Sequence, residues 1–153
     1  MAHHNHTHLH GNCSCGIFSF ETRKAPVARF VCHCLFCQAF TGEAFSDVSV
    51  LMSHQIEMKG TEALSYKKYR LPPNLNRGRC STCGKPAMET MGARPLQLVF
   101  IPSANFAEQD LPPPVRAHVF YNRRVVDVAD DLPKYEHYWP SQFVIAKVIM
   151  GLQ

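Results

Sequence analysis

The sequence predicts a mainly β domain of small antiparallel sheets with little helix, and three observations carry that reading. Short strand-like runs recur between turn residues from Asn12 onward, as antiparallel β domains require. Eleven prolines, among them Pro72-Pro73 and Pro112-Pro113-Pro114, break helical periodicity through the middle of the chain and limit the sheets. Seven cysteines fall in three tight groups and can tie such short elements together through a shared ion. With 153 residues, 46% hydrophobic and 18% charged, the chain fits one domain with a real core.

Taken in order, Met1 to Gly11 holds five of the nine histidines (His3, His4, His6, His8, His10), spaced by small or polar residues that build no core. Residues 1–11 are therefore expected to form a flexible tail, fitting an affinity tag and a natural metal-collecting segment equally. Residues 12–153 follow as a single domain. Strands are predicted at Ile17 to Glu21, Val27 to Cys32, Ala44 to Leu51, Gln55 to Lys59, Leu64 to Tyr69, Leu96 to Ile101, Arg116 to Phe120 and Arg123 to Val128. Helix is predicted for a short turn from Leu35 to Ala39 and for Ser141 to Met150. The latter is apolar on nearly all sides, which suits packing on the core; a homodimer contact is the alternative.

Charge excludes some functions. Sixteen Lys and Arg against twelve Asp and Glu leave a formal +4, and the longest basic pairs, Lys67-Lys68 and Arg123-Arg124, fall short of a nucleic-acid or membrane-surface patch. A small anionic substrate remains compatible. The apolar stretch Phe143 to Leu152 is about half of a bilayer span and contains Lys147. The polar, histidine-rich start has no apolar segment of the kind that directs secretion, so a reducing, cytoplasmic setting is expected, where disulfides do not persist.

The cysteines carry the chemistry. Cys13-x-Cys15, Cys32-x-Cys34-x-x-Cys37 and Cys80-x-x-Cys83 place sulfurs on tight turns, with Ser14, Gly16 and Gly84 giving the room such turns need. Zinc suits thiolate-rich tetrahedral sites without redox demands; an iron–sulfur cluster is the alternative. A structural zinc takes four protein ligands and a catalytic one takes three. Pairing the two dyads gives a closed site of Cys13, Cys15, Cys80 and Cys83, and leaves Cys32, Cys34 and Cys37 with a free fourth position. A histidine could fill that position, from His33, His54, His118 or His137. His33 is poorly placed, because it stands between two ligands and its side chain should point away from them. A three-thiolate zinc is net negative and a weak Lewis acid, better suited to holding an added thiol as thiolate than to activating water.

The same residues resemble the glutathione-dependent formaldehyde-activating enzyme family, the S-(hydroxymethyl)glutathione synthases, to which the centromere-protein-V-like domain is related. The likeness rests on Gly11-Asn-Cys-Ser-Cys-Gly16, on Cys32-His-Cys-Leu-Phe-Cys37 with Thr41-Gly42 and Ala44-Phe45, and on Arg77-Gly-Arg-Cys-Ser-Thr-Cys-Gly84. His118-Val-Phe and Asp130-Asp-Leu-Pro133 resemble its closing segment. The resemblance implies a β-tent-like fold and two zinc ions per chain, a structural one on Cys13, Cys15, Cys80 and Cys83 and an open, catalytic one on Cys32, Cys34 and Cys37. It also implies addition of glutathione to formaldehyde, a carbon–sulfur lyase step in reverse. Gln38, Lys85-Pro86-Ala87-Met88 and Arg123-Arg-Val-Val126 depart from the usual family pattern and bear on substrate identity more than on metal.

The expected function is thus a zinc-dependent carbon–sulfur lyase or synthase acting on a glutathione-like thiol and a small aldehyde; a non-catalytic module with two structural zincs is the alternative. Arg77, Arg79, Lys67, Lys68 and Arg70 are candidate partners for substrate carboxylates, with solvated surface charge as the plainer reading. Glu43 and Asp47 could move a proton, as could His118, each against a plain structural role. Phe36, Phe40, Phe45 and Trp139 are expected in core or pocket wall.

Overall fold

The computed structural model describes residues 8–69 and 75–152. Its elements run β1 (His10–Asn12), β2 (Ser19–Thr22), β3 (Ala28–Cys32), α1 (Leu35–Thr41), β4 (Ser46–Met52), β5 (Ile56–Lys59) and β6 (Leu64–Lys68). After the segment that is not described come β7 (Asn76–Cys80), β8 (Pro86–Met91), β9 (Leu98–Pro102), β10 (Ala117–Val119) and α2 (Tyr138–Ile149). The molecule is mainly β, with a three-stranded antiparallel sheet ordered β1-β2-β5 and a seven-stranded sheet ordered β10-β3-β4-β9-β8-β7-β6. The large sheet is mixed, because β10 lies parallel to β3, placing Val119 beside Cys32.

Side-chain alternation along β4 and β9 splits the interior in two. Leu51, Val99 and Ile101 point toward the small sheet and join Phe18, Phe20, Ile56 and Phe106 in a core between the sheets. Val48, Val50 and Phe100 point the other way and meet Val144 of α2, with Ile145, Val148 and Ile149 packed at the edge. Packing on the core is therefore what α2 does, while Trp139 and Phe143 stay more than 70% exposed.

Several expectations change. The tail is shorter than eleven residues: Leu9 is only 2% exposed within the inter-sheet core, its N–H donates to Thr22 Oγ1 at 2.9 Å, and His10–Asn12 pairs with β2. Apolar Leu9 supplies the burial that the histidine pattern obscured; His3, His4 and His6 lie outside the described residues. Arg123 to Val128 is not a strand. Arg124 Nη1 donates to the Tyr121 carbonyl and the Val128 N–H to Tyr121 Oη, bonds that satisfy a loop locally and leave Val125 and Val126 exposed. Strands β1, β7 and β8 were not expected. Among the described residues no helix is long and apolar enough to cross a membrane.

Candidate metal centres and the cavity beside them

Two groups of sulfurs converge. Cys13, Cys15, Cys80 and Cys83 lie within 4.8 Å of one another, and so do Cys32, Cys34 and Cys37. In the first group Cys13 and Cys15 are 3.5 Å apart and Cys15 and Cys80 3.6 Å. Four sulfurs about 2.3 Å from a tetrahedral zinc would stand about 3.8 Å apart, so the donor set fits such an ion. Two knuckles build it: the Gly16 N–H donates to the Cys13 carbonyl and the Gly84 N–H to the Cys80 carbonyl, and Gly84 takes φ +72°, a left-handed turn that glycine adopts freely. Cys13 and Cys80 belong to the core between the sheets, so this centre joins the β1 end to the β7–β8 hairpin.

The second group sits on the opposite face of the large sheet. Cys32 ends β3 with its sulfur on the side of Phe30, and Cys34 caps α1, accepting the Cys37 N–H at 3.3 Å. Gly42 closes α1 in the left-handed region. Hydrogen bonds from Cys32 and Cys37 hold the Cys34 thiol far below the ordinary range, to about 3. Bonding to Cys34 pushes Cys32 well up. Although a bond with Cys32 works to lower it, Cys37 is pushed up to about 12 by Cys34 and by burial. One negative charge thus suppresses the other two, and a cation is what would release all three protons. Among the described residues no histidine or carboxylate joins these three sulfurs.

Arg77 and Glu89 flank them. Both are 4% exposed, and Arg77 Nη1 lies 3.2 Å from Glu89 Oε1 and 3.6 Å from Cys37 Sγ. They stand directly opposite one another on β7 and β8. Burial pushes Glu89 up to about 7, against the pull of Arg77. The Arg77 guanidinium also lies over the rings of Phe40 and Tyr69, at 5.7 and 5.6 Å.

Of the four histidines considered for the fourth position, His33 turns away as expected. Its Nε2 lies 2.9 Å from His118 Nδ1, and His118 Nε2 lies 2.7 Å from Asp130 Oδ2. Burial lowers His33 to about 4. His118 Nε2 faces the Asp130 carboxylate and donates to it, and His33 Nδ1 is buried without a hydrogen-bond partner. Lys134 closes the chain at 2.7 Å from Asp130. His54 stands in a short 3-10 turn after β4, and His137 lies at the edge of the cavity described next.

That cavity, about 710 Å³, is bounded by the three sulfurs, the large sheet and α2. Its buried floor is Phe30, Val48, Phe100 and Val119, with Glu89 and Arg77 at one side; its exposed edge carries Phe36, Arg123 and His137. The other predicted residues have different partners. Asp47 makes a two-pronged pair with Arg29 at 2.7 and 2.8 Å, and Glu43 is exposed beyond α1. Arg79 holds the carbonyls of Gly84 and Phe40, Lys67 lies over the Tyr69 ring at 4.7 Å, Lys68 is exposed, and Arg70 is outside the described residues. Phe40 is core, Phe45 packs on the His33 ring, and Trp139 is solvent-facing. Gln38 donates to the carbonyls of His33 and Arg123, tying α1 to the cavity edge. Glu89, Asp130 and the α2 wall were missed. Only the Asp130 segment carried a signal, through its likeness to the family's closing stretch.

Fold and site define a mainly β protein with two cysteine centres able to hold metal, one closed within the inter-sheet core and one facing a cavity. The model of the glutathione-dependent formaldehyde-activating enzyme family matches residues 8–123, and the chain belongs to that family. Comparison with curated proteins gives no match. Among solved structures, the crystal structure of a Rhodobacter sphaeroides protein is similar, with a TM-score of 0.52 over 82% of this chain and 98% of that one at 16% identity; this likeness concerns the fold alone.

Proposed function

We propose that this chain is a zinc-dependent carbon–sulfur lyase or synthase that adds a glutathione-like thiol to formaldehyde or a similar small aldehyde, in the cytoplasm. In this reading Cys13, Cys15, Cys80 and Cys83 hold a structural zinc, and Cys32, Cys34 and Cys37 hold the catalytic one. The observation that carries it is the second group: three converging sulfurs, no fourth protein ligand among the described residues, and a cavity against them. A zinc ion bound there would offer its remaining position to a substrate sulfur and favour the thiolate at neutral pH.

The chain's own groups then have definite tasks. Arg77 donates to Cys37 and offsets the negative charge of the three sulfurs. Arg123, exposed at the cavity edge, meets a carboxylate of the peptide thiol. The Cys37 N–H holds the Cys34 sulfur in place. In the reaction a sulfur–carbon bond forms, the carbonyl π bond becomes an alcohol, and the thiol proton ends on its oxygen, so no oxidant or reductant is needed.

Metal analysis should give two zincs per chain. Glutathione added to cobalt-substituted protein should shift the sulfur-to-metal absorption, and zinc-loaded protein should accelerate adduct formation from glutathione and formaldehyde. A spectrum indifferent to every thiol would overturn the reading in favour of two structural metals.

A further inference from the structure

The cavity holds more than its family reaction uses. Formaldehyde has no substituent to place, and a peptide thiol is charged at its ends, yet the depth of the cavity is hydrocarbon. Across the large sheet, neighbouring strands contribute Val119, Phe30, Val48 and Phe100 in sequence, and Phe30 pairs directly with Val48. All four are under 10% exposed, so this surface already lies out of bulk water. Ile145 of α2 and Met91 of β8 extend the apolar wall. Among the described lining residues the charged side chains are Arg77, Glu89 and Arg123. The first two neutralise each other, and Arg123 is at the exposed edge, next to His137. Burying a carboxylate or ammonium against the floor would leave it unpaired, at a cost of several kcal/mol; an alkyl chain or ring meets no such penalty.

We infer that the floor of this cavity is a binding compartment for an apolar substituent on the carbonyl substrate, so that the chain acts on alkyl or aryl aldehydes in preference to formaldehyde. This rests on the function proposed above. The charged ends of the thiol stay at the Arg123 edge, its sulfur reaches the cysteine triad, and the aldehyde approaches from the side of Phe30, the residue two before Cys32 on the same strand face. The product is a hemithioacetal: one sulfur–carbon bond is made, and the thiol proton passes to the carbonyl oxygen.

The test is a rate series on the zinc-loaded protein with glutathione and formaldehyde, propanal, butanal, hexanal and benzaldehyde, each corrected for the uncatalysed reaction. The expected result is kcat/KM rising about fourfold per added methylene from propanal to hexanal, the transfer value for a buried CH₂. Val48→Trp should lower the hexanal-to-formaldehyde ratio at least tenfold; Ile145→Trp, at a half-buried position, serves if the first variant does not fold. Formaldehyde turnover with a flat or falling series overturns the compartment and leaves the proposed function standing. If no aldehyde is consumed, the function falls, and calorimetry with unreactive 1-hexanol decides the compartment separately: saturable binding, lost in the Trp variant, supports it, and no binding overturns it.

Discussion

Cys34 serves two ends at once, since its sulfur faces Cys32 and Cys37 and also caps α1. A serine hydroxyl caps a helix as well, so Cys34→Ser should keep the fold, with Tm changed by no more than about 3 °C, and should abolish the thiol response of the cobalt protein. Cys13→Ser acts inside the inter-sheet core and, on the function proposed above, removes a ligand of a structural metal whose binding contributes folding energy, so it should lower Tm by about 10 °C or more; equal losses for both would refute the division of roles. Removing Arg77 strands Glu89 in a site 4% exposed. Arg77→Met should therefore cost about 3–5 kcal/mol in urea unfolding, and Arg77→Met with Glu89→Gln much less. Asp130 is held below the ordinary carboxylate range by Lys134 first and His118 second. A carboxyl lowered on folding stabilises above its unfolded pKa, about 3.9, and loses that contribution as the pH falls through the folded value. The stability difference between wild type and Asp130→Asn should accordingly be constant above about pH 5 and shrink below about pH 4. A difference that widens in acid would reverse the assignment.

At the level of elements, cysteine spacing revealed the knuckles and turn residues revealed most strands, because both signals are local. Strand β7 was invisible for the opposite reason. Arg77 and Arg79 look like surface charges, and only Glu89, on another strand, makes Arg77 a core residue. Strand β8 opens on a proline, which sits at a strand's first position, and β1 was hidden behind alternating histidines. The parallel pairing of β10 with β3 leaves no mark in alternation, since period-two patterns do not encode strand direction. Two turn glycines test the packing of these elements. At Gly84 an added methyl meets nothing within 4 Å, so Gly84→Ala should cost only the left-handed backbone, about 1–2 kcal/mol. At Gly60 the same methyl would stand 2.0 Å from the Ile17 carbonyl oxygen; Gly60→Ala should cost more than Gly84→Ala by at least about 2 kcal/mol, read from denaturant midpoints at equal slopes.

For the molecule as a whole, the two centres belong to different interiors, and their metals should leave by different routes. A strong chelator at neutral pH should remove the cavity-side ion with far-UV circular dichroism unchanged, and the inter-sheet ion only as the β signal collapses. Loss of both in one step would mean the two cores unfold together. The four-plus-three division of sulfurs was readable from counting. The cavity was not, because its floor is drawn from strands scattered over some ninety residues and its far wall from α2. The family match ends at residue 123, while His137, Tyr138, Gln142 and Ile145 of the lining come after it. Every cysteine lies before residue 84, so a substitution on the cavity side of α2 reshapes what the cavity admits without touching a sulfur.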